Sequence, residues 1–158
     1  MMKYKFLFIA LILFINCSKA QNSNQKQKKY TVIKTAEEWQ NQLTELQYYV
    51  LRESGTERAF TSPLNKNYKK GIYACAACKT PLYKSEHKYD SGSGWPSFDR
   101  AIEKNIELDT DYKIGYQRTE LKCNTCGSHL GHSFDDGPSD TTGKRHCING
   151  AALSFIAK

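Results

Sequence analysis

Gly71-Ile72-Tyr73-Ala74-Cys75-Ala76-Ala77-Cys78 joins a short apolar piece to a Cys-x-x-Cys pair. Ile72-Tyr73-Ala74 is β-branched and aromatic in character and only a few residues long, which suits a strand. Pieces of the same kind recur at Ile106-Glu107-Leu108 and from Ala151 to Ile156, separated by Gly, Asp, Ser and Asn. Short apolar runs punctuated by turn residues predict a mainly β domain with mostly antiparallel pairing. The ten Tyr and seven Phe agree with strands better than with a Leu-rich helical bundle. Between Tyr89 and Phe98, Gly92, Gly94 and Pro96 surround Trp95, which predicts an irregular loop.

Upstream of Gly71 the pattern is helical. Thr35-Ala36-Glu37-Glu38 has the form of a capping box and predicts a helix start, with Trp39, Leu43 and Leu46 following at helical spacing. Thr44-Glu45-Leu46-Gln47 repeats the box, so a break and a second short helix are expected, with Gly55 closing the region. A chain of 158 residues then holds one ordinary domain, residues 34–158, preceded by a leader and a polar linker at 21–33.

The leader is read from charge and length. Lys3 and Lys5 precede the unbroken apolar run Phe6 to Ile15, the core of a signal peptide over residues 1–20 and too short to span a bilayer. Cys17 directly follows the run, where a bacterial lipoprotein carries its lipid, which would make 1–16 the leader; Asn16 stands where a small residue is usual. Ser18 and Ala20 fit ordinary cleavage after Ala20 instead. Both routes export the domain to the cell envelope, as a periplasmic protein or a lipoprotein touching the membrane only through its N-terminal anchor. The net charge of +7 includes a cluster at Lys26, Lys28 and Lys29, which reads as a solvated tether. No nucleic-acid motif accompanies it, so no nucleic-acid partner is expected, and the domain is expected to be a monomer.

Six cysteines are present. Cys75 and Cys78 form one Cys-x-x-Cys, Cys123 and Cys126 another, and each short turn lets two thiolates converge on one ion. Two matched pairs complete a tetrahedron and predict one structural Zn2+ per chain, stapling two hairpins far apart in sequence, with Gly127 easing the second turn. Disulfides are the rival in an exported protein, a redox-active pair is another, and iron a minor one.

Cys147 is left over from this pairing and from the leader, which accounts for Cys17. It lies in the strand-like piece Arg145-His146-Cys147-Ile148-Asn149, where Arg145 and Asn149 share its face. A guanidinium beside a thiol favours the thiolate, so a thiol pKa below the usual ~8.5 is expected. His129 and His132 follow the second cysteine pair and can deliver a proton near neutral pH; a nearby acid such as Asp136 would orient one of them. The plainer readings are a surface histidine or a metal ligand, and for a lone cysteine a small buried apolar residue.

Gly55-Thr56-Glu57, Ser91-Gly92-Ser93-Gly94-Trp95-Pro96-Ser97-Phe98, the run His129-Leu130-Gly131-His132-Ser133-Phe134-Asp135-Asp136-Gly137-Pro138, and Arg145-His146-Cys147-Ile148-Asn149 together resemble the methionine sulfoxide reductase B family. The resemblance runs from about Lys34 to the C-terminus, in order and with both cysteine pairs in place. It implies two antiparallel β-sheets of the β-tent type, short N-terminal helices, and zinc opposite the active site. It implies reduction of the R-epimer of methionine sulfoxide in peptide linkage, and so repair of oxidised proteins. Cys147 would attack the sulfoxide sulfur. His132, with His129, would bind and protonate the oxygen; Arg145, Asp136 and Asn149 would tune that network. Trp95 would wall the substrate methyl, with Phe134 beside it.

The residue inventory agrees with that chemistry. A sulfoxide oxygen leaves only when protonated, so a soft nucleophile needs an acid nearby. Oxygen transfer leaves the cysteine as a sulfenic acid, which a thiol must reduce. Many relatives hold a resolving cysteine where this chain has Ser93, so an external donor, a thioredoxin-like protein or a small thiol, is expected. Two other readings are a non-catalytic zinc-stapled β module that binds a ligand against Trp95, and a thiol–disulfide oxidoreductase acting through a Cys-x-x-Cys pair.

Overall fold

The structure, a computed structural model, describes residues 30–158. The expected leader and most of the expected linker lie outside the described residues. Of the residues read above as linker, Tyr30 and Val32 lie against the domain. The Val32 N–H donates to the Thr125 carbonyl at 3.0 Å, the Val32 side chain packs against the core, and the Tyr30 ring covers Gly127. No helix among the described residues is long and apolar enough to cross a membrane.

Helices α1 (Ala36–Gln42) and α2 (Glu45–Glu53) start where the two boxes place them. The Thr35 hydroxyl accepts from the Glu38 N–H at 3.2 Å while the Glu38 carboxylate accepts from the Thr35 N–H at 2.7 Å. Thr44 and Gln47 repeat the exchange at 3.2 and 3.1 Å. The reciprocal bonds satisfy N–H groups that short helices otherwise leave open. The buried faces carry Trp39, Val50 and Leu51. Ser54 ends α2 in the left-handed region, at φ 53°. Gly55 then passes under the Tyr49 ring, where a Cβ would stand 2.3 Å from a ring carbon.

The remainder is mainly β, in two antiparallel sheets. β1 (Gly71–Cys75), β2 (Pro81–Lys84) and β9 (Leu153–Ala157) form the smaller, in the order β2-β1-β9. The larger contains β3 (Lys88–Tyr89), β4 (Ser97–Phe98), β5 (Ile106–Asp111), β6 (Arg118–Cys123), β7 (His129–Phe134) and β8 (Arg145–Ile148), in the order β3-β4-β8-β7-β6-β5. The core joins the sheets. Tyr73 and Tyr83 of the small sheet pack on Phe98 of the large one, with ring centroids 5.1 and 4.2 Å away. Leu82, Leu121, Leu130 and Ile148 are fully buried around them, each contributing roughly 1.5–3 kcal/mol.

Two expected boundaries shift. The stretch from Tyr89 to Phe98 is irregular only in its middle, because its ends pair as Lys88↔Phe98 and Tyr89↔Ser97. The last strand begins at Leu153, since Gly150–Ala152 form a 3-10 turn. Its Gly150 and Ala151 N–H groups both donate to the Glu57 carboxylate, and that buried bond outweighs the apolar pattern.

Candidate active site

Cys147 lies on β8 between two strands. Its cross-strand partners are His132 on β7 and Ser97 on β4. It opens into a cleft of about 140 Å³ whose walls include Thr56, Trp95, Arg118, His132 and Phe134. The apolar rings leave room for a small side chain, and the polar groups converge beside the sulfur.

Residues three apart on a regular strand face opposite sides. His129 and His132 nonetheless come together, with ring centroids 5.3 Å apart. The reason is a β-bulge. Leu121 pairs with Gly131 but Lys122 pairs with His129, so Leu130 is the extra residue. Each ring meets its own carboxylate. His129 Nδ1 lies 2.6 Å from Glu120 Oε1, and His132 Nε2 lies 2.8 Å from Asp111 Oδ2.

Asp136 orients neither histidine, contrary to expectation. It accepts from Arg145 Nε and Nη2, both at 2.8 Å. Asp136 follows the end of β7, where the register places Arg145 opposite Phe134, so the guanidinium is the cation within reach. The same guanidinium covers the Phe134 ring at 4.4 Å.

The Cys147 thiol also departs from the expectation. Burial pushes it up from its ordinary value, and this outweighs the opposing pull of Ser93 and Arg145. Ser93 Oγ lies 3.8 Å from Cys147 Sγ and begins a hydroxyl chain, at 2.8 Å from Ser91 Oγ, itself 2.7 Å from Ser97 Oγ. Burial holds His132 below the usual imidazole range, with Asp111 opposing. Asp111 is drawn down to about 2, first by the Lys113 N–H and then by His132 and Arg118.

Asn149 and Glu57 build the floor. The Asn149 amide accepts from the Glu57 N–H at 3.0 Å and donates to the Leu130 carbonyl at 3.0 Å. The Glu57 carbonyl accepts from Trp95 Nε1–H at 3.1 Å, which fixes the indole at the cleft. Asn149 thus ties β8 to the bulge of β7 and to the segment that holds Trp95.

The four paired cysteines form a second centre. Their sulfurs all lie within 4.8 Å of one another; Cys75 and Cys126 are 3.8 Å apart, Cys78 and Cys123 3.5 Å. A disulfide needs about 2.05 Å, whereas a tetrahedron of sulfurs ~2.3 Å from one ion has edges of ~3.8 Å. The donor set therefore fits a tetrahedral metal ion, held between the β1–β2 and β6–β7 turns. Gly127, at φ 70°, lets the second turn close.

Residues 43–157 match the SelR domain family. Peptide methionine sulfoxide reductase MsrB of Chromohalobacter salexigens is 52% identical over 125 residues, covering 78% of this chain and 94% of that relative. The chain belongs to the methionine sulfoxide reductase B family. The MsrB of Leptospira interrogans is 50% identical over 127 residues, 80% of this chain and 96% of the relative. Methionine-R-sulfoxide reductase B3, mitochondrial, of Mus musculus is 48% identical over 140 residues, 88% of this chain and 55% of the relative.

Within this family member, the structure gathers Cys147, His132, Trp95 and Phe134 at one cleft, with Asn149 lining it. His129 stands behind His132, 3% exposed, and Arg145 reaches Asp136 at the edge. Sequence reasoning missed Asp111, Arg118 and Glu120, and it quoted Thr56 and Glu57 only as part of a motif. The signal for the first three was the hairpin register: Asp111 opposes Arg118, and Glu120 opposes His132.

Proposed function

We propose that the protein reduces methionine-(R)-sulfoxide in polypeptides to methionine. The observation that carries this reading is the cross-strand pair His132↔Cys147 in a cleft walled by Trp95 and Phe134, in a chain of this family. The sulfoxide methyl sits against Trp95, and the oxygen turns toward His132. The Cys147 thiolate attacks sulfur while a proton passes to oxygen, so Cys147 becomes a sulfenic acid and methionine leaves. Ser93 and Arg145 draw the half-buried thiol toward its thiolate, and His129, held by Glu120, packs behind the acid.

The recycling step follows from the cysteine positions. The hydroxyl of Ser93 cannot resolve a sulfenic acid, and Cys75, Cys78, Cys123 and Cys126 share one cluster. An external thiol therefore condenses with the sulfenic acid, releasing water, and a second thiol frees Cys147 from the mixed disulfide. A thioredoxin-like protein or a small thiol suits this role. We assign the four-cysteine cluster to one structural Zn2+, which would hold the two sheets together and take no part in the chemistry. The substrates are oxidised proteins of the cell envelope, to which residues 1–20 would direct a monomeric domain.

Turnover of the separated R and S epimers, with dithiothreitol as reductant, tests the proposal. The wild type should reduce the R epimer alone, and Cys147→Ser should reduce neither. Reduction of the S epimer at a comparable rate, or activity retained in Cys147→Ser, would overturn it.

A further inference from the structure

The acid of the cleft is itself held by a hairpin. Asp111 ends β5 and Arg118 begins β6, directly opposite. Asp111 Oδ1 accepts from the Lys113 N–H at 2.7 Å; Oδ2 accepts from the Arg118 guanidinium and faces His132 Nε2 at 2.8 Å. With these donors around it Asp111 is an ionised carboxylate, drawn down to about 2. An ionised carboxylate can only accept, so the proton between the two residues resides on Nε2. His132 Nδ1 carries no hydrogen bond from the protein among the described residues, and the ring lines the cleft. In the neutral ring Nδ1 is a bare acceptor. It becomes a donor only when the ring is an imidazolium.

We propose that Asp111, clamped by Arg118, is a positioning residue: it fixes His132 as the Nε2–H tautomer and makes its imidazolium, donating through Nδ1, the acid of the reduction. This rests on the sulfoxide reduction proposed above. The charges facing His132 are Asp111 from β5, Arg118 and Glu120 from β6, His129 from β7 and Cys147 from β8. Asp111 favours the imidazolium; Arg118 and the neighbouring His129 disfavour it. The proton on Nδ1 goes to the sulfoxide oxygen as the Cys147 thiolate bonds to sulfur. The substrate S–O bond and the new Cys147–sulfur bond then break as the hydroxyl passes to Cys147, leaving the sulfenic acid, methionine and a neutral ring whose Nε2–H still donates to Asp111.

Nitrogen NMR of the labelled full chain tests the tautomer directly, with the His132 signals identified by their loss in His132→Gln. The neutral His132 ring should carry its proton on Nε2, and in Asp111→Asn the ring should lose its second proton at a pH at least one unit lower. Single-turnover reduction of the R epimer should fall roughly tenfold or more at neutral pH in Asp111→Asn. The loss should shrink toward acid pH, where the ring is protonated in both proteins, KM should stay within about twofold, and Asp111→Glu should recover part of the rate. An Nδ1–H tautomer in the wild type overturns the proposal whether or not Asp111→Asn folds. So does a rate loss in Asp111→Asn that is uniform across pH. A wild type inactive on both epimers would overturn the sulfoxide reduction instead, while the NMR still decides the tautomer.

Discussion

Ser93 and Cys147 lie 3.8 Å apart, oxygen to sulfur, which makes the missing resolving cysteine testable at a single position. After treatment of the wild type with excess R-sulfoxide and no reductant, mass spectrometry should find one added oxygen on Cys147 and no disulfide. The Ser93→Cys variant should instead close a disulfide between its introduced thiol and Cys147 in the same experiment, since the Ser93 side chain already meets the sulfur. A disulfide between Cys147 and any of the four clustered cysteines in the wild type would sink this account. Ser93→Ala bears on a different property. The hydroxyl favours the thiolate against burial, so its loss should raise the thiol further and slow reduction several-fold near pH 7, with recovery as pH rises. A rate insensitive to Ser93→Ala across pH 6–9 would count against it.

At the scale of elements, the bulge in β7 and the turn after β8 do most to shape the cleft. Glu57 sits 4% exposed and accepts from the N–H groups of Gly150 and Ala151. Glu57→Ala leaves both donors unsatisfied and should destabilise the domain by roughly 2–4 kcal/mol, read from urea unfolding. It should also loosen Trp95, whose indole hangs on the Glu57 carbonyl, and raise KM for the sulfoxide. A stability change below about 0.5 kcal/mol would show that water replaces the carboxylate there. The helix starts and the strand of Cys147 were legible in the sequence because both are local: a capping box lies within four residues, and a strand's facing pattern within five. The carboxylates behind the histidines were not. Asp111 and Glu120 reach His132 and His129 through the pairing of β5, β6 and β7, and the bulge at Leu130 leaves no mark in composition or period.

For the molecule as a whole, the cysteine cluster and the half-buried histidine of β8 set the conditions under which the fold holds. The cluster joins turns of both sheets, so a chelator that withdraws the Zn2+ proposed for it should unfold the domain or broaden its unfolding transition. Metal-free protein with an unchanged melting temperature would refute that. His146 is pushed down to about 4, chiefly by burial, from an unfolded value near 6.5. The unfolded chain therefore binds the proton first, and stability falls as pH drops from about 6.5 toward 4, by up to about 3 kcal/mol. His146→Gln should remove this part of the acid sensitivity in urea titrations between pH 4.5 and 7; equal slopes in both proteins would contradict it.

Read alone, the sequence settled the β character of the chain after Gly71, the two helix starts, the matched cysteine pairs and the odd cysteine at 147, because each rests on residue types at short, fixed spacings. Through motifs it also pointed to the family, which the comparisons bear out. Only the tertiary structure decided which acid serves which histidine, that burial rather than Arg145 governs the resting thiol, and that Tyr30 and Val32 belong to the domain. Those outcomes depend on strand register, on a one-residue bulge and on how much water each group loses, and all three are set by contacts between segments far apart in the chain.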